Sequence, residues 1–146
     1  MRDETNVPTV ADAIALASEH HREGTDKGGA PYILHPIRVM LAMTTDDARR
    51  VAVLHDLVED THVTPDDLRK RGYPEPEIEA LQALTKQKGE SYDAFIERVR
   101  ANPLAAIVKR ADLVDNMDVR RLSEVGPTEA ERLAKYLRAW RRLQET

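Results

Sequence analysis

Val51-Ala52-Val53-Leu54-His55-Asp56-Leu57-Val58-Glu59-Asp60-Thr61 is the stretch on which the reading of this chain turns. One imidazole and three carboxylates stand in an apolar run. Extended back through Ala48, that run has helical spacing. Ionisable groups in such a run are costly to bury unless something pairs them. A divalent cation is the simplest partner for adjacent His and Asp side chains. His55 and Glu59 are four apart, as are Asp56 and Asp60, so each pair shares a helical face. Consecutive residues instead point about 100° apart. Thr45-Asp46-Asp47 marks the start of this helix, with acids at the positive end of its dipole. The helix is expected to run unbroken to about Thr61.

Working outward, Thr9 caps a helix whose apolar positions are Val10, Ala13, Ile14, Leu16 and Ala17. Glu23 to Pro31 holds three glycines and a proline and reads as a loop. Tyr32 to Met43 is helical in spacing, with Pro36 in its early turns. Downstream, Thr64-Pro65-Asp66-Asp67 is a strong helix start that stops at Gly72. Tyr73-Pro74-Glu75-Pro76 breaks the chain, and a helix follows over Glu77 to Thr85. Ser91 caps Tyr92 to Arg100. Pro103 opens a longer helix in which Asp112 falls inside the apolar pattern, four before Asn116, while Asp115 and Asp118 are expected to be exposed. The last helix, Thr128 to Leu143, carries the stripe Leu133, Tyr136, Leu137, Trp140 and Leu143. Core packing is the simplest use of that stripe, and pairing of subunits in a homo-oligomer is the other. No stretch alternates with a period of two. The expected fold is all-α, with about six to eight helices.

The chain has 146 residues, enough for one domain over residues 1–146, with the first eight as the expected place for disorder. Net charge is −4, which argues against a binder of nucleic-acid polymers. A phosphorylated small molecule is still compatible, because a cation and a few lysines set the local potential. The absence of cysteine excludes disulfides, thiolate nucleophiles and zinc–sulfur sites. No apolar run is long enough to span a membrane, and the first residues lack a signal-peptide core, so the expected location is the cytoplasm.

The polar residues set within apolar helices are His35, His55, Asp56 and Asp112, followed by Glu59, Asp60 and Asn116. Imidazole with carboxylate oxygen and no sulfur suits a transition metal such as Mn, Fe, Zn, Co or Ni rather than calcium. Taken alone, His35 reads as a core histidine. His55 and Asp56 could equally be satisfied within the core, with Glu59-Asp60 as a plain helix end.

Three segments in order resemble a known family. They are Asp26 to Pro36, Leu54 to Thr61 and Lys109 to Met117. His35, the pair His55-Asp56 and the distant Asp112 look like the signature of the HD-domain metal-dependent phosphohydrolases. More narrowly, the chain from about residue 10 to 122 is similar to the hydrolase domain of RelA/SpoT-type alarmone enzymes. The resemblance implies an all-α HD fold and one divalent metal, usually Mn²⁺, with His35, His55, Asp56 and Asp112 as ligands. It implies Glu59 and Asp60 as the catalytic pair, and Lys27 and Asn116 as contacts to a phosphorylated nucleotide. The family reaction removes pyrophosphate from the ribose 3′ position of guanosine tetra- or pentaphosphate. Two other readings stand beside it: an HD hydrolase of another phosphorylated metabolite, and a non-catalytic, metal-stabilised sensing or interaction module. The chain also departs from the family pattern. Asp26 stands where an arginine is common, Gly28 where a serine is common, and Leu113 and Asp115 where Arg and His are common.

Overall fold

The computed structural model describes residues 6–145. The part of the expectation that concerns residues 1–5 therefore lies outside the described residues. Among the described residues nine α-helices follow one another: α1 Val10–His20, α2 Leu34–Leu41, α3 Asp46–Leu54, α4 Leu57–Asp60, α5 Pro65–Lys70, α6 Glu75–Ala83, α7 Tyr92–Arg100, α8 Pro103–Asn116 and α9 Pro127–Gln144. A 3₁₀ turn, Val119–Arg121, joins α8 to α9. Among the described residues the only bridge of β type pairs Thr25 with Pro31 across the base of the glycine-rich loop.

The helix starts follow local chemistry. Thr9 and Thr64 each accept from the backbone N–H three residues on, and Asp12 and Asp67 return the bond to the cap. Ser91 and Asn102 cap α7 and α8 in the simpler way. Gly72, at φ +95°, turns the chain out of α5 in a conformation that suits glycine. The segment Tyr73 to Pro76 does less breaking than expected. Pro74 is itself the N-cap of α6, and Pro76 sits in the first turn, where its missing N–H has no partner to lose.

The middle of the molecule is α3. Its last four residues, Val51, Ala52, Val53 and Leu54, are all fully buried, so this end of the helix is apolar all round, while Asp46, Asp47, Arg49 and Arg50 charge its first turns. It packs against α1, α2, α6 and α8. One charge leaves it sideways: Arg50 makes two 2.8 Å bonds to Glu77 on α6, a carboxylate only 3% exposed. The last helix closes the core through Ala139 and Leu143, with Tyr136 and Trp140 against it, whereas Leu137 faces outward. No helix among the described residues is long and apolar enough to cross a membrane.

The expected unbroken helix over Thr45 to Thr61 is not what forms. It stops at Leu54 and restarts at Leu57. The cause is the Ala52 carbonyl. It receives the backbone N–H of His55 at 3.4 Å and the His55 ring Nδ1 at 2.6 Å. The side chain thus competes with the backbone for the same acceptor, and the turn tightens. If α3 and α4 are counted as one interrupted helix, the nine segments fall at the upper end of the expected number.

Candidate metal centre and active site

The break in α3 places two consecutive side chains where an uninterrupted helix would splay them. His55 leaves the end of α3 and Asp56 the start of α4, and both turn toward α2 and α8. His35 in the first turn of α2 and Asp112 late in α8 meet them. Ligand atoms of His35, His55 and Asp56 lie within 4.8 Å of one another. Asp112 Oδ1 comes to 2.8 Å from His35 Nε2 and 3.1 Å from His55 Nε2. Asp56 Oδ2 is 3.2 Å from His55 Nε2. His35, His55 and Asp112 are each at most 5% exposed.

Both imidazoles are held by their far nitrogens. His55 Nδ1 faces the Ala52 carbonyl, which only accepts, so that nitrogen carries the proton. His35 Nδ1 lies 2.6 Å from Asp115 Oδ2 and donates in the same way. Each ring therefore turns Nε2 toward the two carboxylates. In the neutral ring that nitrogen bears a lone pair, which is the arrangement of metal-binding histidine. Without a cation, an Nε2 lone pair facing carboxylate oxygens is repulsive unless a proton intervenes. That is the situation of His55. Burial pushes its pKa down, but Asp56 and Asp112 outweigh burial and hold it well above the usual histidine range. The donor set, two imidazoles and two carboxylates around one point, fits a divalent transition-metal ion.

The carboxylates are supported as acceptors. Burial alone would raise Asp56, yet the His55 ring and the Tyr32 hydroxyl, which donates to Asp56 Oδ2, bring it down to about 2. Asp112 is held well below the carboxylate range against its own burial, chiefly by Lys109. The Lys109 ammonium donates to Asp112 Oδ2 at 2.8 Å, and the Asn116 amide donates to Oδ1 at 3.0 Å. Lys109 is itself sunk against the Phe95 ring, 5.3 Å from its centroid.

Glu59 and Asp60 stand on α4, one turn past the cluster, and are exposed. Partial desolvation and neighbouring carboxylates raise both above their ordinary values. Their surroundings differ. Lys109 and Lys86 act on Glu59, whereas Asp60 lines a cavity of about 490 Å³ with His20, His21 and Tyr32. Lys27 and Asn116 line a second cavity of about 310 Å³, on the other side of Tyr32, together with Arg121, Arg132 and Tyr136. Seven of the eight residues singled out from the sequence thus stand at the cluster or in the cavities bordering it, while Glu59, next to Asp60 on α4, lines neither cavity.

Sequence reasoning missed two contributors and misjudged one. Tyr32 was read only as the start of a helix, yet its hydroxyl reaches Asp56. Asp115 was expected to be exposed, but its side chain is 12% exposed and bonds His35 and Arg38. Arg121 carries no signal in the spacing. It donates to Asp115 and Asp26. A signal existed for Asp115: it lies three after Asp112, on the same side of α8.

No protein-family model matches the chain. A guanosine-3′,5′-bis(diphosphate) 3′-pyrophosphohydrolase of Vibrio cholerae is 30% identical over 146 aligned positions, covering 90% of this chain and 20% of that protein. The enzyme of the same name from Aquifex aeolicus is 29% identical over 117 positions, 72% of this chain and 17% of the relative. The chain thus spans about a fifth of the length of these curated relatives. In fold it is similar, with a TM-score of 0.75 and 19% identity, to a solved structure described as a metazoan ortholog of SpoT that hydrolyzes ppGpp. That likeness covers 98% of this chain and 86% of the other. In sequence the chain resembles a part of these pyrophosphohydrolases, and in fold it resembles the metazoan SpoT ortholog.

Proposed function

We propose that the chain is a metal-dependent phosphohydrolase acting on a phosphorylated nucleotide, with a ppGpp-like 3′-pyrophosphate as the leading substrate. The observation that carries the reading is the convergence of two imidazole Nε2 atoms, one buried carboxylate and one partly buried carboxylate on one point, beside an exposed acidic pair. The relatives' activity on guanosine-3′,5′-bis(diphosphate) supplies the substrate class. His35, His55, Asp56 and Asp112 are the proposed ligands and Mn²⁺ the proposed ion. When bound, the ion supplies Lewis acidity and a lowered pKa for water.

The chain's own groups do the rest. Asp60, or Glu59 beside it, takes the proton of the attacking water. The water oxygen bonds to the phosphorus carried by the ribose 3′ oxygen, the bond from that phosphorus to the 3′ oxygen breaks, pyrophosphate departs with the water oxygen, and the 3′ oxygen takes a proton from solvent water to become a hydroxyl. Lys27 meets the phosphates as a point charge, and Asn116 meets the sugar. The smaller cavity, with Leu122, Leu133 and Tyr136 on its apolar wall, receives the nucleoside. The reaction is assigned to a single domain working in the cytoplasm.

The test is a Mn²⁺-supplemented hydrolysis screen of ppGpp and other 3′-, 2′- and 5′-phosphorylated nucleotides, with product identification. Pyrophosphate released from the 3′ position is the expected outcome. Asp60→Ala should bind Mn²⁺ normally and turn over nothing. Absence of bound metal and of any hydrolysis in the wild type would remove the enzyme reading.

A further inference from the structure

Three of the four residues that depart from the family pattern, Asp26, Gly28 and Asp115, are joined to one another. Asp26 Oδ1 accepts from the backbone N–H of Gly28 and of Ala30, both at 2.9 Å, and so folds the loop on itself. Its Oδ2 faces the Arg121 guanidinium at 3.5 Å. A Cβ on Gly28 would lie 2.7 Å from the Arg121 carbonyl oxygen, so the loop rests directly on the 3₁₀ turn. Arg121 donates in turn to the Asp115 main-chain carbonyl and reaches Asp115 Oδ2 at 3.4 Å. That same oxygen accepts from His35 Nδ1 at 2.6 Å, and Arg38 holds both carboxylate oxygens, at 2.7 and 3.0 Å.

One continuous polar chain therefore runs from the nucleoside cavity to the cation cluster: Asp26, Arg121, Asp115, His35. The first two line the cavity and the last is a proposed ligand. We propose that Asp115 is a positioning residue that fixes the ring and tautomer of His35, and that Arg121 ties it to the loop carrying Asp26 and Lys27. Metal site and nucleotide loop are then set by one network. The inference rests on the cation-site reading above.

The physical case is geometric. His35 leaves α2 just before Pro36, so its backbone alone does not select a ring rotation. A carboxylate at 2.6 Å does: it demands a proton on Nδ1 and points Nε2 at Asp112. The Asp115 charge is matched by Arg38 and Arg121, so it can be held against the ring without a net buried charge. In Arg121 the Nε is buried and has no partner among the described residues. The orientation of its guanidinium thus depends on the Asp115 main-chain carbonyl and the two carboxylates at its tip.

The experiment measures Mn²⁺ dissociation constants for the full chain and its variants, beside thermal midpoints of the metal-free proteins and steady-state kinetics on ppGpp. Asp115→Ala should weaken Mn²⁺ by about 10- to 100-fold, the usual cost of losing a ligand's outer partner. Asp115→Asn keeps an acceptor oxygen but not the charge, and should lose only about 3- to 10-fold. Arg38→Gln loosens Asp115 but leaves its bond to His35, and should weaken Mn²⁺ less than Asp115→Asn does, by at most about 3-fold. Arg121→Gln should raise KM roughly tenfold while kcat holds, as expected when a charged hydrogen bond ordering a binding loop is lost.

If Asp115→Ala does not fold, the contrast between Asp115→Asn and Arg38→Gln decides. Equal Mn²⁺ affinities in those two variants would overturn the positioning role. Unchanged KM in Arg121→Gln would overturn the link to the loop. A wild type that binds Mn²⁺ while Asp115→Ala binds it equally well sinks this inference alone, whereas a wild type that binds no metal sinks the cation-site reading and the inference with it.

Discussion

Asp112 is the group whose removal tests the centre most directly. Its Oδ1 lies against both imidazoles and the Asn116 amide, and its Oδ2 accepts from the Lys109 ammonium. The change Asp112→Asn preserves shape and removes the charge. In the metal-free protein it strands the Lys109 ammonium, whose side chain is 14% exposed. Breaking a buried pair from one side costs about 3–5 kcal/mol. Relief of the repulsion between Asp112 and Asp56 offsets part of that, so the lower end, about 3 kcal/mol, is the working figure. For a chain of this length that is a fall of roughly 6–12 °C in the midpoint.

The metal response separates this from simple damage. Mn²⁺ at about 100 times its dissociation constant stabilises the wild type by about 2.7 kcal/mol, a rise of roughly 5–11 °C. Asp112→Asn should show almost none of that rise. Scanning calorimetry of both proteins, with EDTA and with Mn²⁺, reads the two effects separately. A variant whose midpoint climbs with Mn²⁺ as far as the wild type's refutes the assignment of Asp112 to the site. A metal-free variant as stable as the wild type refutes the account of Lys109.

Other predictions follow from the same geometry. The folded pKa of His55 is raised, so in the metal-free protein its charged ring contributes stability below the unfolded value near 6.5, and loses it as pH rises through the folded pKa. Mn²⁺ must displace that proton. Uptake at neutral pH should therefore release protons and strengthen as pH rises, and titration heats should differ between buffers of unlike ionisation enthalpy; identical heats would contradict it. Asp56 acts with the opposite sign: its contribution is present above 3.8 and disappears as pH falls toward about 2, which acid unfolding of Asp56→Asn against the wild type measures. Gly28→Ala forces the loop off the Arg121 carbonyl at a cost of about 1–3 kcal/mol; KM should rise while Mn²⁺ affinity holds, and unchanged kinetics would show that the loop contact does not matter. Arg50→Met leaves Glu77 buried without its partner and should cost about 3–5 kcal/mol in urea unfolding, again with Mn²⁺ affinity intact.

The all-helical class and most helix starts were legible because they depend on neighbours in sequence. Thr9, Thr64, Ser91 and Asn102 reach backbone N–H groups three residues away, and apolar spacing marks the buried faces. The gathering of His and Asp was legible as a need: inside apolar helices such side chains require a partner wherever the helices go. The interruption between α3 and α4 was not legible. It depends on which acceptor the His55 ring finds, and periodicity continues across a one-turn break unaltered. Asp115 looked exposed because polar residues in a helix usually face water. Its burial follows from the packing of α2 on α8, which sets His35 and Arg38 against it across some 77–80 residues of chain.

The same distinction holds for the stretch Val51 to Thr61. By itself, the sequence determined that a charged cluster would sit in an apolar helical run and would demand a counter-charge. Only tertiary structure decided that His55 and Asp56 reach one point, and that Asp26, Gly28, Asp115 and Arg121 work as one network. Those are contacts between residues far apart in the chain, and their energies depend on distances that only packing sets.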